Sequence, residues 1–286
     1  MRRLLSGMAF LASHLVAFTV FASSGDFQLY QLGNPSVVPE ANENFRIFAN
    51  QLGAAVSSFN LSPPETLGHS AFNFAFEYSA VSVDTSAAVW PREGAAQGRK
   101  PPVDLLLIPA LHVRKGLPFS FEVGTRVSYL QFSRMTAATV ELKWALNEGF
   151  FYFPDLGVRG FATRMLGTRD FGLTTAGFDI GLGKQFALGG MLTLTPYAGW
   201  NPLFVDMTSR IIDFAPARTL EQAQTQPLAD TDAFTHVALL SNRSNRFYFG
   251  LRLIGYVVEV GAEVSYTKTY GDREVLAFSG KLGLDF

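Results

Sequence analysis

Apolar residues recur at every second position through most of this chain, and this period of two is the feature that most constrains its fold. In one segment the apolar positions Phe119, Phe121, Val123, Val127 and Tyr129 alternate with Ser120, Glu122, Gly124, Arg126 and Ser128. Successive side chains of a β-strand point to opposite faces, so the pattern predicts strands with one apolar and one polar face. Ten such segments follow residue 69, at about 70–84, 103–114, 118–131, 136–147, 155–166, 171–186, 190–207, 244–254, 257–269 and 274–286.

The length of these segments indicates a membrane rather than a soluble sheet. They span about 11–16 residues, whereas strands of soluble proteins typically have about 5–6 and a tilted bilayer-spanning strand needs about 9–11. In hydrocarbon every backbone polar group must be paired, so a membrane sheet closes on itself. We therefore predict an all-β, antiparallel transmembrane β-barrel over residues 70–286, with about ten strands. Twelve strands would result if 203–214 and 233–243 formed an extra pair within the membrane.

The connections between the predicted strands also fit a barrel. If the chain enters from the periplasm, the longest connections, 85–101 and 208–243, both fall on the outer side. The turns 115–117, 148–154, 187–189 and 255–256 fall on the inner side and are short. Short periplasmic turns with longer outer loops are typical of bacterial outer-membrane barrels.

The first residues have the composition of an export signal. Arg2 and Arg3 precede a mostly apolar run from Leu4 to Phe21, and small residues follow at 22–25. This pattern predicts a signal peptide over residues 1–24, cleaved after export. A retained membrane helix is the alternative.

Residues 25–69 carry a different pattern, with one helical signature. Phe45, Phe48, Leu52, Val56 and Phe59 recur at steps of three and four, which predicts a short amphipathic helix. Two placements are open. The helix covers the periplasmic rim or lies on the membrane surface, which is the placement we favour, or it packs into the barrel mouth as a plug.

The last segment, FSGKLGLDF, places Phe278, Leu282, Leu284 and Phe286 on one face. This alternation resembles the carboxy-terminal assembly signal of Gram-negative outer-membrane β-barrel proteins. The resemblance implies location in the cell outer membrane and insertion by the barrel-assembly machinery, with periplasmic chaperones as further partners. The bilayer and its outer-membrane lipids are then the surroundings of the apolar face.

The polar register is rich in ionisable side chains, which the barrel would direct inward. The candidate lumen-facing residues are Glu77, Glu122, Arg126, Glu141, Lys143, Arg159, Asp179, Arg252, Glu259 and Glu263. Both signs are present, and a barrel of ten strands is narrow, so opposite charges should pair and fill the lumen. A closed lumen is favoured over a constitutive open channel, and a narrow or gated path for a small solute is the alternative.

Other chemistry has little support. The net charge of −1 argues against a nucleic-acid partner, which would need a basic face, and there is no cysteine. No cofactor and no metal site are expected. A hydrolase triad would have to use His236 with Asp230 or Asp232 and Ser241, but no nucleophile motif accompanies them. We expect no enzyme.

The leading hypothesis for function is a small pore or transport protein for small or hydrophobic solutes. The second is a structural or surface-interaction barrel that uses loop 208–243, and a hydrolase is third.

Overall fold

A computed structural model describes residues 27–84, 90, 105–216 and 230–286, so the predicted signal peptide lies outside the described residues. Within them, helix α1 spans Ala41–Val56, and short 3-10 turns lie at Leu29–Leu32 and Tyr270–Asp272. The strands are β1 Phe72–Ser82, β2 Leu105–Leu117, β3 Phe121–Tyr129, β4 Thr136–Asn147, β5 Asp155–Leu166, β6 Phe171–Gly183, β7 Phe186–Leu188, β8 Leu192–Ser209, β9 Ile212–Asp213, β10 Thr231–Asp232, β11 Arg243–Gly255, β12 Val258–Lys268 and β13 Glu274–Asp285. No described helix combines the length and the apolar character that crossing a bilayer requires.

The long strands form one closed antiparallel barrel. Each pairs with its neighbour in sequence, β13 returns to pair with β1, and β8 pairs with β11 across the loop between them. Ten strands of the described chain make up this wall, which confirms the predicted barrel. The segments 203–214 and 233–243 do not add strands to it, because the two-residue strands β9 and β10 pair only with each other.

The two ends of the barrel differ in their connections. We call one end the turn end, where the connections 118–120, 148–154, 184–191 and 256–257 lie. The opposite end is the loop end, where the longest connections, 83–104 and 210–242, both lie together with 130–135, 167–170 and 269–273. This is the asymmetry that the parity of the connections predicted.

The outer face of the wall is apolar. Phe76, Leu142 and Leu282 are 49%, 53% and 58% exposed, and the same outward register continues through every long strand. The residues of the predicted assembly signal, Phe278, Leu282, Leu284 and Phe286, all lie on this outer face. Soluble proteins do not expose apolar surface on this scale, so the belt is a lipid-facing surface and the fold is that of a transmembrane barrel.

Part of the inner face is apolar. Toward the loop end the buried inward positions include, besides polar ones such as Thr175, the apolar residues Leu106, Ile108, Phe161, Phe171 and Val205. These positions belong to the same buried apolar cluster as the residues of α1.

Helix α1 lies inside the barrel at the loop end. Apart from a few positions its residues are buried, and it packs on β6, β8, β13 and the 3-10 turn at 270–272. The favoured placement on the periplasmic rim or the membrane surface is thus wrong. The residues outside the apolar stripe explain this placement. Many of them are small, such as Ala49, Gly53 and Ala54, so most of the helix surface carries no charged side chain and can be buried.

Candidate functional site

The most unusual feature of the interior is the chain that follows α1. Residues 57–67, which we call the lumen segment, leave the helix at Ser57, whose backbone is extended, and reach the turn end, where β1 begins. Along this path the segment is buried from Ser57 to Glu65. Its backbone polar groups need partners, because each one buried without a hydrogen bond costs about 1–3 kcal/mol. The barrel wall provides those partners.

Three arginines from three different strands converge on the start of the lumen segment. Arg246 of β11 donates to the backbone oxygens of Ala54 at 2.6 Å and Ser58 at 3.1 Å. Arg159 of β5 and Arg126 of β3 both donate to the backbone oxygen of Phe59, at 3.2 and 3.4 Å. A guanidinium carries several donors in a fixed plane, so it can bind a carbonyl and a carboxylate together.

Nearer the turn end, acidic and basic wall residues alternate as partners. Glu263 accepts a hydrogen bond from the backbone N–H of Leu61 at 3.0 Å, and Glu122 accepts one from Leu67 at 3.0 Å. Lys143 donates to the backbone oxygen of Pro63 at 3.2 Å. The contacts show that the wall recognises both the donors and the acceptors of the segment.

The only ionisable side chain of the described lumen segment also has a partner. Glu65 forms an ion pair with Arg252 of β11, which also donates to Thr195 Oγ1 at 3.3 Å. This pair fixes the turn-end half of the segment against the β8–β11 side of the wall.

Glycines of the wall make room for the segment. A Cβ on Gly157 would lie 2.5 Å from the backbone oxygen of Pro64, and one on Gly183 would lie 2.7 Å from its Cδ. Gly181, in the same inward register, would bring a Cβ to 3.9 Å from Pro64. The alternate glycines of GLGKQF therefore face the lumen, as their spacing indicates, and leave a groove for Pro64.

The wall charges also pair among themselves. Arg159 contacts Glu141 and Asp179, each at 2.7 Å, and Arg126 contacts Glu77 at 2.8 Å. His112 lies between two carboxylates, with Nδ1 2.8 Å from Glu77 and Nε2 2.8 Å from Glu141. The two ring nitrogens therefore link one carboxylate each.

A second cluster joins the remaining acidic wall residues. Arg114 contacts Glu122 at 3.2 Å and Glu259 at 3.3 Å, and Lys281 contacts Glu259 at 2.6 Å. Glu263 accepts a further hydrogen bond from the Tyr197 hydroxyl at 3.2 Å.

All ten charged residues selected from the sequence lie buried in the barrel interior: Glu77, Glu122, Arg126, Glu141, Lys143, Arg159, Asp179, Arg252, Glu259 and Glu263. His112, Arg114 and Lys281, which share the inward register, bind four of these carboxylates. Arg246, which the sequence reasoning missed, binds the lumen segment. The missed signal is simple, because Arg246 has the same strand register as Arg252. Alternation within the strands could not predict that these wall charges bind a segment that precedes the barrel in the chain.

At the loop end an aromatic cluster caps the interior. The ring of Phe48 lies 5.1 Å from the rings of both Phe27 and Trp90 and 6.1 Å from that of Phe171, in edge-to-face arrangements. Edge-to-face pairs at this separation are favourable beyond the area they bury. The cluster makes the loop-end half of the interior a packed apolar core.

The connection 210–242 is hydrogen-bonded to the chain that precedes α1. Asp232 of β10 accepts a hydrogen bond from the hydroxyl of Ser36, which precedes α1. That bond and the bond from the backbone N–H of Ala233 hold the pKa of Asp232 below its usual range. His236 is bonded to Asp206 of β8, with Nε2 2.9 Å from Oδ2.

These contacts bear on the hydrolase hypothesis. His236 pairs with Asp206 rather than with the predicted partners Asp230, Asp232 or Ser241, and the Ser241 hydroxyl donates to the backbone oxygen of Ala238 at 2.6 Å. The triad that a hydrolase would need is therefore not assembled from these residues. Within the described ranges, no three or more His, Asp or Glu side chains are grouped as metal ligands. The expectations that the chain is not an enzyme and binds no metal stay predictions.

Comparison with known proteins was made at the level of sequence and of fold. No family model matches the sequence, and no curated protein matches it. Solved structures similar to this chain include the attachment invasion locus protein Ail of Yersinia pestis, with 11% identity over 76% of this chain and 99% of that one, at a TM-score of 0.29. The β domain of the Bordetella autotransporter BrkA has 12% identity over 76% and 100%, at a TM-score of 0.43. Neisserial surface protein A has 9% identity over 76% and 99%, at a TM-score of 0.31.

At these scores the superpositions are loose, and the assignment of the fold depends on the strand pairing. A closed antiparallel barrel of ten strands in the described chain, with an apolar outer belt and a polar inner register, is the architecture of outer-membrane β-barrel proteins.

Proposed function

We propose that this protein is an outer-membrane surface protein whose barrel is closed to solutes in its resting state. The barrel anchors the chain in the membrane, and the loop end is the surface that meets partners outside the cell. One observation carries the proposal: the lumen segment occupies the interior, and charged residues of the wall bind it along its length.

The contacts of the lumen segment argue against a constitutive pore. An open pore needs wall charges that face water. Here the backbone oxygens of residues 54–59 instead accept hydrogen bonds from Arg126, Arg159 and Arg246. Breaking one buried charged contact by removing a partner typically costs about 3–5 kcal/mol. Releasing the whole segment would break several together, so the filled state is strongly favoured.

The cap supports the same conclusion at the loop end. Phe45, Phe48 and Leu52 of α1 are fully buried among apolar wall residues. Water and ions would have to cross this core before they reached the polar half of the lumen. The expectation of a small pore or transport protein therefore has less support than the surface-interaction alternative, and it stays a prediction.

The outer-membrane location is supported by the outer belt and by both longest connections lying at one end. With that location, the barrel-assembly machinery and the periplasmic chaperones are its proposed partners during insertion. The outward residues Phe278, Leu282, Leu284 and Phe286 of β13 are the proposed recognition segment.

Ion conductance across planar bilayers tests the proposal. The intact protein, shown to be folded by its heat-dependent migration on a gel, should insert and give no steady current. The matched variants are Gly53→Leu, which forces α1 away from β8, and Gly160→Leu, which changes only the lipid-facing side. We expect transient current from the first and none from the second. A steady current from the intact protein would contradict the proposal and favour a pore.

A further inference from the structure

One segment at the loop end is bonded both to helix α1 and to strand β8. Residues 230–242, which we call the strap, form the last part of the connection 210–242 and continue directly into β11. The backbone N–H and the backbone oxygen of Val237 both pair with Met207 of β8, at 2.9 Å each. The backbone N–H of Phe234 donates to Ser209 Oγ at 2.7 Å. The strap is therefore fixed to the barrel wall.

The strap also contacts the first residues of α1. The ring of Phe234 stacks on that of Phe45, with the centroids 4.7 Å apart and the planes inclined by 10°, and both side chains are buried. The backbone N–H of Thr235 donates to Asn42 Oδ1 at 2.8 Å. The strap thus covers the part of the helix that lies nearest the loop-end surface.

Arg46 of α1 adds a further contact. Its Nε donates to Asn242 Oδ1 at 2.8 Å, and its Nη2 donates to the backbone oxygen of Ser241 at 3.4 Å. The same guanidinium lies 3.8 Å from the centre of the Tyr270 ring and donates to its hydroxyl at 3.0 Å. Among the described residues, the side chains of residues 41–50 form hydrogen bonds with other elements only through the strap and Tyr270. These two partners therefore provide the polar contacts that dock the first half of the helix.

The docking of the strap and the docking of α1 depend on each other. Each ring of the Phe45–Phe234 pair covers one face of the other, and such a pair is favourable beyond the area it buries. If the strap moved away, Phe45 would expose a face to water and Asn42 would lose its partner. Two elements that bury each other's apolar surface are energetically coupled, so displacement of one weakens the docking of the other.

The strap has an exposed side as well. Leu240 is 82% exposed and the side chain of His236 is 51% exposed, whereas Phe45 and Phe48 of the helix are fully buried. A molecule that approaches the loop end from outside therefore reaches the strap before it reaches the buried face of α1.

We propose that the strap controls the docking of α1: a partner that binds the strap in a displaced position frees the first half of the helix from the barrel mouth. This inference rests on the proposed function, in which the loop end meets partners and α1 closes the interior. The partner must bind the displaced strap more tightly than the docked one, because only a difference in affinity shifts a conformational equilibrium. The lumen segment keeps its own contacts with the wall, so displacement of the strap loosens the loop-end cap first.

A reversible cross-link tests the proposal. The chain has no cysteine, so Asn42→Cys with Thr235→Cys places one pair across the contact between strap and helix. A short bifunctional methanethiosulfonate bridges the pair, and a reductant releases it. Hydrogen exchange of the amides of residues 41–56 is measured on the full chain in micelles in both forms. Bridging should slow this exchange by about tenfold or more, because the strap can no longer move away from the helix.

Phe234→Ala is the opposite perturbation. It removes the ring that stacks on Phe45, so it should speed the exchange of residues 41–56 by about tenfold or more and give transient current in planar bilayers. Bridging Asn42→Cys to Thr235→Cys in the same chain should reverse both changes. The control is Phe132→Ala, because the ring of Phe132 lies in another loop-end connection and is 64% exposed. It should change neither measurement.

Slower exchange on bridging, together with faster exchange in Phe234→Ala but not in Phe132→Ala, supports the inference. Exchange that bridging leaves unchanged, equal effects of the two alanine variants, or a bridge that fails to reverse the effect of Phe234→Ala would overturn it. The bridged and reduced forms are the same protein, so their comparison does not depend on the folding of Phe234→Ala. A steady current from the intact protein, with these exchange results as expected, would contradict the proposed function alone.

Discussion

Gly53 is in close contact with the barrel wall, and replacing it tests whether α1 is docked as described. A Cβ on this residue would lie 2.6 and 2.8 Å from the two methyl carbons of Val205 on β8. Val205 is fully buried and β-branched, so its side chain has little freedom to move. Gly53→Ala therefore adds a methyl group where no space exists.

The expected energies are of opposite sign. Overpacking a core typically costs about 1–3 kcal/mol. Replacing glycine by alanine inside a helix gains about 1 kcal/mol. The net change in the docking free energy of α1 should be a loss of about 0–2 kcal/mol. In a Val205→Ala background both methyl carbons are gone and the Cβ of residue 205 lies 3.3 Å away, so the same replacement should stabilise docking by up to about 1 kcal/mol.

Hydrogen exchange of the amides of residues 41–56, followed by mass spectrometry on the protein in micelles, measures docking directly. A change of about 1.4 kcal/mol alters the exchange rate tenfold. The double-mutant cycle should give a coupling of about 1–3 kcal/mol between the two positions. Gly160→Ala, on the outer face with nothing within 4 Å of the added carbon, is the matched control. If Gly53→Ala slows exchange in both backgrounds with no coupling, the helix does not pack on β8 and the closed lumen is refuted.

Two further predictions concern the path of the chain and the buried charges. The protein has no cysteine, so Ser36→Cys should react with a membrane-impermeant maleimide on intact cells, whereas Ser70→Cys at the turn end should react only after permeabilisation; the reverse pattern would contradict the orientation. His112→Phe leaves two buried carboxylates without their shared partner and should lower the free energy of unfolding in urea by about 3–5 kcal/mol. His69→Phe, at an exposed position, should change it by about 0.5 kcal/mol or less, and equal effects of the two would contradict the buried cluster.

The barrel could be predicted from the sequence because its determinants are local. A strand in the wall has lipid on one side and the interior on the other, so the polarity of each residue indicates which side it faces. The alternation of Val140, Leu142 and Trp144 with Glu141 and Lys143 shows this in β4. The same pattern, together with the need to pair every backbone polar group, predicts the number of strands and the pairing of β13 with β1. It also predicts that the long connections lie at one end.

The sequence determined less about the interior, because contacts there join residues far apart in the chain. The apolar stripe of α1 predicts a helix but not the surface that buries it, since a membrane surface and a barrel mouth both accept an apolar face. Only the tertiary structure showed that Leu106 and Ile108 in β2 join the buried apolar cluster that contains this helix.

The lumen segment was decided by the tertiary structure alone. Residues 57–67 have no periodic pattern and no charge run, and their fold depends on wall residues up to 202 positions away, as for Leu61 and Glu263. Arg126, Arg159 and Arg246 are adjacent only because closure of the barrel brings β3, β5 and β11 around one axis. Periodicity reports the surroundings of each residue on its own strand, whereas the filling of the lumen depends on which side chains closure brings together.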